Sequence, residues 1–338
     1  MCYHIAFEVN LESIVDYFPD IIIDPQLELN FPKAAYVNGF DHGFQPAMIT
    51  GRKDGKKHLA AMMWGFLPGG IKNYEAAERF WNGYKDENGK WNTGFITLNA
   101  MGEELLEKRL YKDAALNRRC ILFVDGFYEW HHFFPLGKKG QRLKTAIKYP
   151  HHIFIKDNPL PFIMIAGIWN SWKHEEVNKE TGEIETFVTP TFAIVTTKAN
   201  ELMAKIHNSK ERMPTLLTSE LAEEWIKNDL SQERIKEIAT YQYPPDQMRG
   251  HTVAKDIRKF YHLKKNILIL NLKVSFVRMK CLFTIHYHLK ITILNPAACK
   301  KFSSTAFALM FAFSIMFLLK AIAVILFFAF SFTAITAS

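Results

Sequence analysis

The residue with the most chemistry to offer in this 338-residue chain is Cys2, directly after the initiator methionine. Its small side chain permits removal of Met1, and the product carries an α-amine and a thiol on adjacent carbons. With a pKa of about 8, that α-amine is partly neutral at physiological pH and can attack an aldehyde to give a Schiff base. Addition of the thiol to the same carbon closes a thiazolidine, which resists hydrolysis because no C=N bond remains. Read alone, Cys2 is as readily an incidental small residue, so other segments must decide.

The remaining cysteines are Cys120, Cys281 and Cys299, with no C-x-x-C pair and no Cys/His spacing of the zinc-binding kind. Neither a disulfide nor a metal is expected. The pairs His131-His132 and His151-His152 do not change this, because neighbours in an extended strand point to opposite faces. The net charge of +8 is also unevenly spread: Asp256 is the last acidic residue, and the eleven Lys and Arg from Arg258 onward leave 31 cations against 34 anions before them. A mildly acidic body lacks the whole-domain attraction that drives non-specific DNA binding, so any grip on phosphate must come from a local groove.

Positioning such residues falls to a chain that reads as α+β with strands dominating. Up to residue 256, short β-branched and aromatic runs recur, among them IAFEV, RRCILFVDGFYEW, PFIMIAGIWNSW and TFAIVTTKAN. Helical periodicity appears from Glu103 to Leu116 and from Ser219 to Leu230, with Ser219 as the expected N-cap. Charged, glycine-bearing segments at 85–90 and 179–183 read as hairpin tips. One domain is expected over residues 1–256. The segment 257–338 is left unassigned: acids vanish, and apolar runs Ala306–Leu319 and Ala321–Phe330 are broken only by Lys320. That composition favours a frameshifted or read-through AT-rich frame, with a C-terminal membrane anchor as the other reading. The start MCYHIAFEVN has no basic region followed by an apolar one, so a cytoplasmic location is expected.

Several further pieces, in this order, resemble the SRAP family, named for SOS-response-associated peptidases. They are Met1-Cys2, Trp64-Gly65-Phe66-Leu67-Pro68, Leu98-Asn99-Ala100 with Glu103, Arg118-Arg119-Cys120 leading into Asp125-Gly126-Phe127-Tyr128-Glu129-Trp130, Ala166-Gly167-Ile168-Trp169, Thr196-Thr197-Lys198-Ala199-Asn200, and Ile206-His207-Asn208 with Arg212-Met213-Pro214. The resemblance implies a single α+β domain with a distorted, barrel-like β core flanked by helices. It implies covalent capture of abasic sites in single-stranded DNA, with no cofactor and no obligate protein partner, in a DNA-associated cytoplasmic protein. Peptidase and lyase-like activities are implied beside it.

By that resemblance Asn99, Glu129 and His207 line the pocket around Cys2. Glu129 would act as general acid or base, and alternation in the run 125–130 sets it on the same face as Asp125 and Phe127. A strand-end salt bridge is its ordinary alternative. His207 would shuttle a proton, where a core histidine is the default, and Asn99 would hold the linked terminus, where an Asx turn is the default. DNA contacts are expected from Trp64, Phe66, Arg118, Arg119, Trp130, Arg212, Met213 and Pro214, with Trp169 beside them, although most tryptophans could equally be core. Three departures stand out: Tyr3-His4 where the family commonly has Gly-Arg, Met101 where it has Arg, and the insertion Ser209-Lys210-Glu211. The rival functions are an N-terminal-nucleophile amidohydrolase acting on a small amide or peptide, and a non-covalent single-stranded nucleic-acid binder.

Overall fold

A computed structural model describes residues 2–27, 33–178 and 181–257. Along the chain, β1 (His4–Phe7), α1 (Leu11–Tyr17), β2 (Ile22–Ile23), β3 (Ala34–Asn38), β4 (Phe44–Thr50) and β5 (Lys57–Trp64) come first. Then follow α2 (Tyr74–Asn82), the hairpin β6 (Tyr84–Lys85) and β7 (Trp91–Asn92), β8 (Asn99–Met101) and α3 (Lys112–Asn117). The central strands are β9 (Arg119–Val124), β10 (Gly126–Phe133), β11 (Ile147–Ile155), β12 (Ile163–Val177) and β13 (Ile184–Lys198). The last elements are α4 (Glu201–Ile206), β14 (Arg212–Pro214), β15 (Leu216–Leu217), α5 (Ser219–Trp225), α6 (Gln232–Ala239) and β16 (Met248–Thr252).

Five strands close on themselves. β13, β12, β9, β4 and β5 pair in that order, and a short parallel pairing of β5 with β13, Met63 opposite Thr191 and Trp64 opposite Phe192, completes the ring. A separate antiparallel sheet runs β16-β11-β10-β1-β3. The expected α+β class with a barrel-like core and flanking helices is what the chain adopts.

Alternation along the barrel strands sorts the apolar residues into two cores. On β9, Ile121 and Phe123 join a cluster with Ile14 of α1, Ala114 and Ala115 of α3, Trp225 of α5 and Ile235 of α6. Cys120, Leu122 and Val124 turn the other way, into a cluster with Cys2, Ile5 of β1, Phe127 of β10 and Ile153 of β11. β12 and β13 divide likewise, Ala166 and Ala193 to the helices, Ile165 and Ile194 toward Cys2. Every residue of β9 is therefore buried, and a continuous apolar run is what a strand covered on both faces requires.

Two helix readings need correction. The stretch Glu103–Leu116 is not one helix: a short 3-10 turn covers Gly102–Glu104, and the α-helix begins at Lys112. Glu103 is drawn out of the helical pattern because its carboxylate receives Arg212 and the backbone N–H of Lys198. Gly102 also lies against α6 so closely that a Cβ there would meet the Ala239 carbonyl at 2.2 Å. The second helix starts at Ser219, but its N-cap is Thr218, whose side chain accepts from the Leu221 N–H at 3.3 Å. The two hairpins stand where expected, Lys85 opposite Trp91 and Val177 opposite Ile184. Among the described residues no helix is long and apolar enough to cross a membrane. The apolar runs of 306–330 lie outside the described residues.

Candidate active site around Cys2

Cys2 sits just before β1, fully buried, with its Sγ–H directed to the His4 carbonyl at 3.6 Å. Burial, and after it the charge of Glu129, pushes the thiol well above its ordinary range. Glu129 lies on β10 opposite His151 of β11, on the face shared with the buried Phe127, as the alternation of that run requires. The carboxyl is buried, and burial pushes its pKa up to about 8. It is therefore largely protonated at neutral pH.

His207 follows α4, a helix whose N-cap Asn200 accepts from the Met203 N–H at 3.0 Å and donates to the Tyr243 carbonyl at 2.6 Å. Nδ1 of His207 lies 2.9 Å from the Arg212 carbonyl. A carbonyl only accepts, so Nδ1 carries the proton and Nε2 is left with its lone pair. That lone pair faces Glu129, with Nε2 3.6 Å from Oε2. Burial lowers the His207 pKa to about 4. At pH 7 the two groups are thus mainly a carboxylic acid and a neutral imidazole, with Nε2 and Oε2 3.6 Å apart.

The loop after His207 is held from two sides. Asn208 exchanges two hydrogen bonds with the backbone of His132, at 2.9 and 3.0 Å, which ties it to the strand that carries Glu129. Arg212 forms a bidentate pair with Glu103, both contacts 2.8 Å, and donates to the Thr196 carbonyl at 2.7 Å. The segment Ser209-Lys210-Glu211 is accommodated as a turn in which the Glu211 N–H returns to the His207 carbonyl at 2.9 Å, with Glu211 at a left-handed φ of 51°.

Asn99 begins β8, next to Ile194 of β13. Its side chain is buried, and neither its Oδ1 nor its Nδ2 has a hydrogen-bond partner. Such a group costs about 1–3 kcal/mol unless something else completes it. Its backbone carbonyl accepts from the Tyr111 hydroxyl at 3.3 Å, and the neighbouring Leu98 carbonyl accepts from Trp64 Nε1 at 2.9 Å. Tyr3 links this side to the rest: burial, then the charges of Glu129 and Cys2, push its phenol up to about 12, and Tyr3 in turn bears on Tyr111. Cys2, Glu129 and His207 thus share one buried site, and Asn99 follows Leu98, which packs in the same core cluster as Cys2. The sequence reading missed both tyrosines, although Tyr3's place beside Cys2 was a sufficient signal.

The expected DNA contacts fare differently. Trp64, Phe66, Met213 and Pro214 are buried core residues, Trp64 as a strut beneath Leu98. Arg212 is spent on Glu103 and Thr196. Arg119 is buried and donates to the carbonyls of Ala115, Leu116, Trp225 and Lys227, closing the C-terminal ends of α3 and α5. These six are built into the scaffold of the site. Arg118 is partly exposed but paired with Asp113 at 2.5 Å and with the Trp169 carbonyl at 3.2 Å. Trp130 is half-buried, edge-on to His4 with ring centres 4.7 Å apart. Those two alone of the eight retain access to solvent.

Comparison with known proteins is consistent with this geometry. The chain is 28% identical over 243 residues to the abasic site processing protein YoqW of Bacillus subtilis, covering 72% of this chain and 90% of that protein. It is 26% identical over 211 residues to the abasic site processing protein YedK of Escherichia coli, covering 62% and 74%. Among solved structures, a protein from Bacteroides thetaiotaomicron superimposes with a TM-score of 0.57 at 25% identity, covering 76% of this chain and 94% of that one. The family model for SOS response associated peptidases, SRAP, matches residues 1–260. A fold, a buried cluster around Cys2 and a match over most of its length agree: the chain belongs to the SRAP family.

Proposed function

We propose that this protein processes abasic sites in single-stranded DNA by bonding covalently to their aldehyde through Cys2, and that residues 1–256 form the unit that does so. The observation that carries the reading is the buried, neutral Glu129–His207 pair beside Cys2, with the uncompleted amide of Asn99 on the same site. Once Met1 is removed, the α-amine of Cys2 adds to C1′ of the open-chain sugar and the carbinolamine loses water to give an imine. Glu129, in its acid form, protonates the ring oxygen while the C1′ hydroxyl gives its proton to His207 Nε2, which opens the sugar to the aldehyde. His207 passes that proton to Glu129, which then protonates the carbinolamine hydroxyl so that it leaves as water, and the proton lost from the amine nitrogen restores the acid. The thiol then adds across the C=N bond, sulfur to carbon and its proton to nitrogen, giving a thiazolidine. Asn99 holds the modified terminus through its free donor and acceptor.

The same burial argues against a cysteine hydrolase. That chemistry needs a thiolate beside an imidazolium, whereas here the thiol is pushed up, the imidazole is pushed down, and both ring nitrogens of His207 are directed at other groups. Release of the DNA by reversal of the imine step would make the protein lyase-like without any hydrolytic nucleophile. The test is direct. Full-length wild-type and Cys2→Ala proteins, both verified to lack Met1, are mixed with a single-stranded oligonucleotide carrying one abasic site and resolved on a denaturing gel. A shifted species that requires Cys2, at the mass of protein plus DNA minus water, is expected. Absence of that species in the processed wild type sinks the reading.

A further inference from the structure

β12 and β13 are each 15 residues long, more than the barrel uses. β9 accompanies β12 only from Ile163 to Ile168, and β5 meets β13 only at Thr191 and Phe192. Past those pairs the two strands run on as a two-stranded arm, from Asn170 opposite Thr191 to Val177 opposite Ile184. The arm's two edges differ. The segment before α2 covers the β12 edge: the Glu175 N–H donates to the Lys72 carbonyl at 2.8 Å, Trp172 Nε1 donates to the Ile71 carbonyl at 2.7 Å, and the Glu176 carboxylate accepts the Tyr74 N–H at 2.8 Å. On the β13 edge, no strand among the described residues pairs from Ile184 to Pro190.

The direction of the backbone along that edge follows from its continuation into the barrel. There the Phe192 carbonyl accepts from the Gly65 N–H at 2.9 Å, and the Ile194 N–H donates to the Leu98 carbonyl at 3.0 Å. Even-numbered residues of β13 thus turn their backbone away from β12, and alternation gives Ile184, Thr186 and Val188 the same direction. Their N–H and C=O groups form an open row that ends at Pro190, which has no N–H. Apolar side chains line the row. Ile184 and Val188 are 68% and 63% exposed, and Val177, opposite Ile184 on the same face, is 62% exposed. Such an edge is a template for another strand.

Charge selects the occupant. Residues 173–189 carry five glutamates against two lysines. Glu185 and Glu176 stand opposite each other on the face away from Ile184, and their printed contacts are Asn178 for Glu185 and Tyr74 and His174 for Glu176, so no lysine or arginine neutralises either. A second copy would bring the same excess of carboxylates to the shared edge, and like charges set across a strand pair are destabilising. We propose that the β13 edge from Ile184 to Val188 binds, by strand addition, an extended segment of a partner protein in which apolar residues alternate with lysine or arginine. Main-chain hydrogen bonds to Ile184, Thr186 and Val188 would hold the segment, its apolar side chains lying beside Ile184 and Val188 and its cations beside Glu185 and Glu176.

The probe is a labelled, end-capped peptide of about seven residues that alternates lysine with valine, and its control carries glutamate in place of every lysine. Fluorescence anisotropy with the full-length protein is expected to show the lysine peptide binding with a Kd below about 1 mM and the glutamate peptide binding at least about tenfold more weakly. Thr186→Pro removes the middle outward donor, which β12 does not use, and should weaken the lysine peptide about tenfold. Glu185→Lys leaves the backbone row intact and should weaken it about 3- to 10-fold. Amide hydrogen exchange at Thr186 and Val188 should slow when the lysine peptide is added. No binding up to about 1 mM, equal affinity for both peptides, or Thr186→Pro binding as the wild type does overturns the proposal. Self-association of the full-length protein in sedimentation, abolished by Thr186→Pro, makes a second copy the occupant and overturns it too.

Discussion

Replacing Glu129 by glutamine separates the electrostatics of the site from its shape, since the amide keeps the volume and cannot ionise. The carboxyl has an ordinary pKa of 4.5 and is held at about 8 in the folded protein by burial. Between those values the folded chain binds a proton that the unfolded chain has released. Its contribution to stability is therefore full below about pH 4.5 and is lost as pH rises toward 8. At about 1.4 kcal/mol per pH unit, the interval from 4.5 to about 8 sets a ceiling of about 5 kcal/mol. Relaxation and water entry around the charge lower this, so about 2–4 kcal/mol is the expected difference. Urea unfolding of the wild type and of Glu129→Gln from pH 4.5 to 9 measures it: the two curves should lie close together at the acid end and diverge steadily, with the glutamine variant the more stable at pH 9. In the abasic-DNA assay at pH 7, the same variant should form adduct about 10²–10⁴-fold more slowly, the span of a lost general acid. Parallel stability curves across this range would refute the claim that Glu129 is a buried neutral acid, and the proton-transfer role would fall with it.

Asn99→Leu removes a buried amide with no partner, so the melting temperature should hold or rise while adduct formation falls, compared by calorimetry and gel on the same preparations. Arg119→Met strips donors from four backbone carbonyls and should cost about 3 kcal/mol or more in urea unfolding, with adduct formation by the remaining folded protein unchanged. Thr218→Ala should destabilise by about 1 kcal/mol through loss of the helix cap, whereas Ser219→Ala should stay within about 0.5 kcal/mol; the opposite order would restore Ser219 as the cap.

Strands were the most legible part of the chain because their signal is local. The run RRCILFVDGFYEW divides into β9 and β10, PFIMIAGIWNSW enters β12 at Ile163, and TFAIVTTKAN covers the end of β13 to Lys198. Closure of the barrel was not legible, because the two residue pairs that join β5 to β13 are about 128 positions apart and leave no mark on either strand's composition. Four helices passed unread: α1, α2, α4 and α6 span only six to nine residues, too few for a 3.6-residue period to repeat more than twice. Residue type says least at the arginines. Arg119 and Arg212 have the chemistry for phosphate, but a guanidinium satisfies several carbonyls or one carboxylate equally well, and only burial distinguishes the two uses.

The proposed chemistry and the burial of the site support each other through proton inventory. An acyl-transfer route would create a thiolate and an imidazolium in a place where burial disfavours both, the thiol being pushed up and His207 down to about 4. Adding S–H across an imine transfers one proton from sulfur to nitrogen and leaves no net charge behind. Ring opening and loss of water from the carbinolamine each need an acid, and Glu129 at about 8 holds a proton near neutral pH without being stranded as an anion. A more exposed Glu129 would be ionised at pH 7 and unable to donate. A more exposed Cys2 would be a better nucleophile toward many electrophiles and a worse one to keep unreacted until an aldehyde arrives. The burial that slows general thiol chemistry at this site is therefore what reserves it for a substrate that brings its own reactive carbon into the pocket.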